Sequence, residues 1–291
     1  MSRPSPAWWD EQYNNRARIP EHRSILDQWS AASAKARADH PDLVEKVYGP
    51  GPRERLDVFP ATSPRSPVMV YLHGGYWRAL DKRDQSFVAP PFVSAGALVL
   101  LPDYDLCPAV TVEQIVLQMV QALVWVYRHA ARYGGDPQRI VVAGHSAGGH
   151  LATMMLACDW QAVAPDLPAD LVKSALSISG IYDLEPLRLA PFLAPDLRLT
   201  KASARRLSPA RMPAPRGSLA TVVGADESEE FLRQSALIAA AWGSGTVVAS
   251  ECVARRHHMD VLQELAEPGS RTHGLALGLL GIGRSSAASG W

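Results

Sequence analysis

The chain has 291 residues, of which 47% are hydrophobic and 20% are charged, so it is long enough to bury a sizeable core. Lysine plus arginine and aspartate plus glutamate each number 29, which argues against a general binder of nucleic acid or another polyanion. No apolar run approaches the roughly 18 residues that a membrane helix needs, and the N-terminus lacks the apolar core of a signal peptide. We therefore expect a cytoplasmic protein without a membrane or nucleic-acid partner.

The first part of the chain predicts two features that precede the main domain. Residues 1–40 predict a helical arm rich in tryptophan, and the sequence leaves open whether this arm packs over the domain or covers a site. Residues 43–59 predict an antiparallel hairpin that turns at Gly49-Pro-Gly-Pro52.

From residue 67 onward, apolar strands alternate with helical patterns. Near-continuous apolar strands joined by helices predict a mostly parallel sheet with helices on both faces, which is an α/β domain over residues 41–282. Residues 184–216 interrupt the alternation and predict a small helical cap, and residues 283–291 predict a flexible tail. The predicted strands cover residues 67–72, 97–101, 140–143, 175–179, 219–223 and 246–249. The predicted helices cover residues 82–96 (broken at Pro90-Pro91), 112–132, 151–157, 231–242 and 259–266.

The strand over residues 140–143 leads directly into Gly144-His-Ser-Ala-Gly148, a G-x-S-x-G pentapeptide that a helix-forming run follows at once. Strand, tight turn and helix are the context that a nucleophile elbow requires. The serine holds a strained backbone conformation there, and flanking glycines let the strand and the helix approach closely. The pattern therefore predicts Ser146 as a nucleophile.

A serine nucleophile needs donors that hold the developing oxyanion. His73-Gly-Gly75 follows the strand over residues 67–72, and its glycine amides can approach a carbonyl oxygen closely because they lack a Cβ. Gly74 and Gly75, together with the backbone N–H of Ala147, are the predicted oxyanion donors. We expect His73 to brace this loop by hydrogen bonding.

The nucleophile also needs an acid, which should follow the strand over residues 219–223. Two adjacent carboxylates compete in the loop Gly224-Ala-Asp-Glu-Ser228. Acids in this loop commonly lie three residues after the glycine, which favours Glu227 over Asp226. Asp183 is a more distant alternative.

The base should follow the last strand, where two adjacent histidines again compete. His258 immediately precedes a helical run and is favoured over His257. His145 and His150 flank the nucleophile, and we expect them to stabilise the elbow instead of acting as the base. The three cysteines, Cys107, Cys158 and Cys252, are widely spaced and predict neither disulfides nor a zinc site.

The motifs together resemble the kynurenine formamidase (arylformamidase) branch of the α/β-hydrolases. Its nucleophile maps to Ser146, its acid to Glu227 and its histidine to His258, where this chain has His258-Met259 in place of the usual His-Phe. The motifs that carry the resemblance are Tyr13-Asn-Asn-Arg16, His73-Gly-Gly-Tyr-Trp77, Asp103-Tyr-Asp-Leu-Cys-Pro108, Gly134-Gly-Asp-Pro137, Gly144-His-Ser-Ala-Gly-Gly-His-Leu151, Ser179-Gly-Ile-Tyr-Asp-Leu184, Ser208-Pro209 and Glu230-Phe-Leu-Arg-Gln-Ser235.

The resemblance implies an α/β-hydrolase fold and an enzyme that acts on a small molecule. The sequence shows no metal cluster and no nucleotide-binding loop, so we expect neither a metal nor a cofactor. The implied reaction is hydrolysis of an N-formyl arylamine such as N-formylkynurenine through a formyl-enzyme, within tryptophan catabolism. A general carboxylesterase for small aryl or short-chain esters is the alternative, and a non-catalytic ligand-binding protein is a more distant one. Tyr76, Trp77, His145 and Met259 are candidate pocket residues, although Trp77 fits the core equally well. A homodimer is left open.

Overall fold

The computed structural model describes residues 4–283, so all but the first residue of the expected tail over residues 283–291 lies outside the described range. Within that range no helix is both long and apolar enough to cross a membrane. The N-terminal segment forms helices α1 (Pro6–Tyr13), α2 (Asn15–Arg18) and α3 (His22–Ala38).

The centre of the fold is an eight-stranded sheet with the strand order β1-β2-β4-β3-β5-β6-β7-β8. β1 pairs antiparallel with β2, and β2 pairs antiparallel with β4, so the predicted hairpin is present at one edge. The other neighbouring strands are parallel, which confirms the predicted mostly parallel sheet. The strands are β1 (Val44–Val47), β2 (Arg55–Phe59), β3 (Ser66–Leu72), β4 (Leu98–Pro102), β5 (Gly135–His145), β6 (Val172–Ile178), β7 (Ser218–Gly224) and β8 (Val247–Val253).

The predicted helices follow the strands in the expected order, with one correction, and helices over Trp160–Val163 and Arg271–Leu280 are present that the sequence did not predict. Pro90 and Pro91 do not interrupt a helix; they lie in the first turn of α4, where the missing proline N–H has no intrahelical partner to lose. The remaining helices are α4 (Ala89–Ser94), α5 (Val112–His129), α6 (Ala147–Leu156), α7 (Trp160–Val163), α8 (Ala194–Leu197), α9 (Lys201–Arg206), α10 (Glu229–Trp242), α11 (Gln263–Ala266) and α12 (Arg271–Leu280).

Both faces of the sheet are covered, and β3 shows this most clearly because each of its seven residues is buried. Successive side chains of a strand point to opposite faces. Accordingly, Val68 and Val70 join the apolar cluster formed with α5, α6 and α10, whereas Met69 and Tyr71 join the cluster formed with α3, α4 and α12. The continuous apolar run in the sequence therefore reflects burial on two sides.

The N-terminal helices dock on the domain through buried polar contacts. The Tyr13 hydroxyl donates to Glu230 Oε2 at 2.7 Å, and the Tyr76 hydroxyl donates to the backbone carbonyl of Tyr13 at 2.6 Å. On α3, Arg37 pairs with Asp57, which is fully buried on β2. These contacts attach the arm at both of its ends, so it packs over the domain.

Candidate active site

Ser146 lies at the turn between β5 and α6 with φ 57° and ψ −118°, a conformation that non-glycine residues rarely adopt. A Cβ added to Gly148 would lie 1.9 Å from the carbonyl oxygen of Leu72, and one added to Gly144 would lie 2.2 Å from that of Gly148. Such distances leave no room for a side chain. The glycine spacing of the pentapeptide is therefore imposed by the contact of α6 with the sheet.

His258 and Glu227 form a buried pair, in which His258 Nδ1 donates to Glu227 Oε2 at 2.6 Å. The neighbouring Asp226 is exposed, and the carboxylate of Asp183 lies 3.4 Å from the guanidinium of Arg211 instead. The structure thus brings Glu227, and neither alternative acid, to the predicted base.

His257 has a different set of contacts from His258. Its Nδ1 accepts hydrogen bonds from the backbone N–H groups of Met259 and Asp260, both at 3.2 Å, and its Nε2 lies 3.3 Å from Glu21. His257 therefore braces the turn after β8, and only its neighbour reaches Glu227.

Glu227 is held by two further donors, and one of them was missed in the sequence. Its Oε1 accepts a hydrogen bond from the backbone N–H of Gly224 at 2.8 Å and another from the hydroxyl of Ser179. Ser179 lies just after β6 with φ 50°, and it is buried. It belongs to a motif that carried the family resemblance, but nothing in its local pattern indicated a contact with Glu227.

Replacing Ser179 with alanine is expected to lower kcat about tenfold, the scale of one hydrogen bond to a charged group. The reason is that Glu227 would lose a donor that orients it toward His258. Ser179→Gly is the matched control, because glycine also lacks the hydroxyl but tolerates a positive φ. Recovery of kcat in the glycine variant would attribute the loss to backbone strain and contradict the expected role; pH–rate profiles of both variants complete the measurement.

His145, which precedes Ser146, supports the predicted base His258. Its Nε2 donates to the backbone carbonyl of His258 at 2.7 Å. Burial lowers the pKa of His145 well below its usual value, and the nearby His258 adds to this effect, so the ring stays neutral. His150 is buried one turn along α6, where its Nε2 donates to the carbonyl of Leu207 at 2.7 Å. Both histidines thus have structural contacts, as expected.

The loop after β3 packs against Ser146. A Cβ added to Gly74 would lie 3.3 Å from the Cβ of Ser146, and Gly75 has φ 107°, a value at which glycine is favoured. Ala147 is the first residue of α6, so its N–H lacks an intrahelical acceptor. Of the three predicted oxyanion donors, Gly74 and Ala147 therefore adjoin Ser146, and Gly75 borders the same cavity as Ser146.

His73 braces this loop, as its sequence context predicts. Its Nε2 donates to Asp103 Oδ1 at 2.9 Å, and its ring stacks on Tyr104 with 4.1 Å between centroids. The Tyr104 hydroxyl in turn donates to the carbonyl of His73 at 2.8 Å. These contacts tie the loop to the end of β4.

A cavity of about 350 Å³ opens above Ser146. Three of the four candidate pocket residues border it, whereas Trp77 does not: its ring is fully buried and packs edge-on against His150. The N-terminal arm supplies part of the wall, which answers whether it covers the site. The cavity is bordered by Asn14, Asn15, Arg16, Leu26, Trp29, Gly75, Tyr76, Arg78, Ala79, Leu80, Gln85, His145, Ser146, Phe192, Asp196, His258 and Met259.

The expected cap segment also reaches the cavity. Phe192 and Asp196 lie within residues 184–216, and Arg78 donates to the carbonyl of Phe192 at 2.7 Å and pairs with Asp196. Across residues 4–283, no group of three or more His, Cys, Asp or Glu side chains is arranged to hold a metal ion.

Known proteins match this chain over different lengths. The kynurenine formamidase of Danio rerio is 31% identical over 288 residues, which cover 95% of this chain and 94% of that protein, and the kynurenine formamidase of Salmo salar is 31% identical over 289 residues with the same coverage. The esterase LipQ of Mycobacterium tuberculosis is 34% identical over 146 residues, which cover 47% of this chain and 35% of LipQ. A family model described as BD-FAE matches residues 56–175.

Two solved structures show the same architecture. A putative thioesterase from Silicibacter sp. TM1040 superposes with a TM-score of 0.80 at 30% identity, covering 94% of this chain and 97% of that one. Esterase 2 of Thermogutta terrifontis superposes with a TM-score of 0.67 at 21% identity, covering 86% of this chain and 98% of its own. The second likeness bears on the fold alone.

Proposed function

Because the chain belongs to the kynurenine formamidase family of α/β-hydrolases, we propose that it is a serine hydrolase that cleaves aryl formamides of the N-formylkynurenine type. The resemblance, the fold and the hydrolase class predicted from the sequence are confirmed by the full-length relatives and the solved structures. The aryl formamide substrate and the serine mechanism are what we propose.

One observation favours this proposal over an esterase of the LipQ type. The match to the Danio rerio kynurenine formamidase covers 95% of this chain, so it includes at least part of the arm over residues 6–38. That arm borders the cavity above Ser146, whereas the LipQ match covers 47% of the chain. Similarity that extends into the cavity wall favours a similar substrate.

The proposed mechanism uses Ser146 and His258, which border the cavity, together with residues next to them. Ser146 Oγ attacks the formyl carbon while His258 takes the hydroxyl proton, and Glu227 orients His258 and stabilises its charged form. The formyl carbonyl oxygen becomes negatively charged in this step, and the backbone N–H groups of Gly74, Gly75 and Ala147 stabilise it.

The tetrahedral intermediate then breaks its C–N bond, and His258 gives its proton to the departing nitrogen. An arylamine results, and the formyl group remains as an ester on Ser146. His258 next takes a proton from water as the water oxygen attacks this ester. His258 then gives that proton to Ser146 Oγ as the ester C–O bond breaks, and formic acid leaves and ionises to formate. An aniline nitrogen is a better leaving group than an alkyl amine, so this machinery suffices.

The proposal is tested by comparing kcat/KM for N-formylkynurenine with that for p-nitrophenyl acetate. We expect the formamide to be the better substrate. Turnover of the ester alone would refute the formamidase assignment and support the carboxylesterase alternative, which the esterase relatives favour.

A further inference from the structure

A second cavity lies beside the one above Ser146. Its volume is about 190 Å³, and it borders both members of the buried pair that His258 forms with Glu227. Two residues, Asn15 and His258, border both cavities. Asn15, on α2, therefore lies beside His258 where the two cavities meet, next to the residue that exchanges protons in the proposed mechanism.

The contact of Asn15 with Tyr76 determines which of its amide atoms is free. The Tyr76 hydroxyl donates to the backbone carbonyl of Tyr13 at 2.6 Å. Burial raises the pKa of Tyr76 well above its usual value, so this hydroxyl keeps its one proton. Its oxygen can therefore only accept from Asn15, whose Nδ2 lies 3.5 Å away. The NH₂ end of the amide faces Tyr76, and Oδ1 is the other end.

Asn15 Oδ1 is an acceptor that a molecule in the cavity can reach. Within residues 4–283, no group donates a hydrogen bond to this oxygen. Asn15 is 8% exposed, and its Oδ1 keeps accessible surface, unlike the unpartnered ring nitrogens of Trp77 and Trp160, which are sealed in the core. Since Asn15 borders both cavities, a ligand can supply the missing donor.

The other amide and carboxylate side chains that border the cavity above Ser146 are already engaged. Asn14 Oδ1 accepts the backbone N–H that it caps at the start of α2, and Gln85 Oε1 accepts a tyrosine hydroxyl. Asp196 pairs with Arg78. Asn15 thus offers the free neutral acceptor of this kind.

The proposed reaction brings a donor to the same place. Because His258 Nδ1 is held by Glu227, Nε2 is the atom that gives its proton to the departing nitrogen, from hydrogen-bond distance. A nitrogen that approaches His258 in this way also approaches Asn15. The nitrogen of an aryl formamide carries an N–H of its own, which can donate to Asn15 Oδ1.

Such a hydrogen bond would strengthen as the C–N bond breaks. The nitrogen gains positive charge when it takes the proton from His258, so its bond to Asn15 becomes charge-assisted. Interactions that are stronger in the transition state than in the ground state raise the rate of the chemical step. The departing atom of an ester is an oxygen without a hydrogen, so an ester gains nothing from this acceptor.

We propose that Asn15 Oδ1 accepts a hydrogen bond from the N–H of the scissile C–N bond and thereby favours formamides over esters of the same acyl and aryl groups. This inference rests on the proposed function, because it takes the cavity above Ser146 as the site of an aryl formamide. It gives the N-terminal arm a part in choosing which bond is cleaved.

The test compares formanilide with phenyl formate, which transfer the same formyl group and differ only in the N–H or oxygen that departs. We would measure kcat/KM for both, corrected for uncatalysed hydrolysis, because this parameter reports acylation. Asn15→Leu removes the acceptor while keeping most of the side-chain volume, and Asn15→Ala is a smaller second replacement. Asn14→Ser is the matched control, because it removes the neighbouring amide but keeps an oxygen that can cap α2.

Asn15→Leu and Asn15→Ala are each expected to lower kcat/KM for formanilide about tenfold relative to their effect on phenyl formate, the scale of one hydrogen bond. Asn14→Ser is expected to leave this ratio unchanged. An equal loss for both substrates in the Asn15 variants would overturn the inference, because Asn15 would then only hold the arm in place. A selective loss in Asn14→Ser would overturn it as well.

The unmodified enzyme separates this inference from the proposed function. Turnover of phenyl formate without turnover of formanilide would refute the formamidase assignment, and the inference with it. Turnover of both substrates, with an unselective loss in the Asn15 variants, would refute the inference alone.

Discussion

Replacing Ser146 with alanine is expected to lower kcat by at least about 10⁴-fold for formamides and esters alike. The structure places this residue at the strained turn between β5 and α6, beside Gly74 and on the wall of a cavity that His258 also borders. Without the hydroxyl, no acyl-enzyme forms, and only substrate binding and oxyanion stabilisation remain. Steady-state assays with N-formylkynurenine and p-nitrophenyl acetate measure the loss.

A covalent probe checks the same prediction independently of the substrate. A fluorophosphonate should label the unmodified enzyme and fail to label the Ser146→Ala variant. Ser174→Ala is the control, since Ser174 is a buried serine on β6 that does not border the cavity. Undiminished labelling of the Ser146→Ala variant would exclude Ser146 as the nucleophile.

Replacing Glu227 with glutamine is expected to lower kcat by roughly 10³- to 10⁴-fold, an effect of the size seen when a triad acid becomes an amide. The carboxylate accepts hydrogen bonds from His258 Nδ1, the Gly224 N–H and the Ser179 hydroxyl, so donors face both of its oxygens. The NH₂ group of an amide is itself a donor, so it would face one of these donors without an acceptor between them. Alternatively it would favour the wrong tautomer of His258. The kcat measured across the pH range reports this loss.

Asp226→Asn is the matched control for this experiment, because it makes the same chemical change one residue earlier. Asp226 is exposed, and its backbone N–H donates to the carbonyl of Arg256 at 2.9 Å. We therefore expect its kcat to stay within about twofold of that of the unmodified enzyme. A large loss in Asp226→Asn with a small one in Glu227→Gln would exchange the two assignments.

Features that depend on neighbouring residues could be predicted from the sequence. The strand, glycine turn and helix around Ser146 follow from local sterics, and the continuous apolar strands indicate a sheet covered on both faces. The positions of Glu227 and His258 follow from the same logic, since loops at the carboxyl ends of parallel strands meet at one edge of the sheet.

Contacts between distant segments could not be predicted in this way. Ser179 reaches Glu227 from the segment that follows β6, and Trp29 and Gln85 both border the cavity although 56 positions separate them in the chain. Whether Trp77 lies in the core or in the pocket could not be predicted either, because it depends on the packing of His150 against its ring. Apolar and polar patterns record whether a side chain is buried, but not which partner it meets.

The sequence by itself determined the α/β architecture and the tight turn at Ser146, and it predicted the order of serine, acid and histidine, because each is encoded in a short segment with its own steric requirements. Only the tertiary structure decided that Glu227 instead of Asp226 contacts His258 and that the N-terminal arm forms a wall of the cavity. These outcomes depend on the relative placement of chain segments, which the packing of the whole core sets.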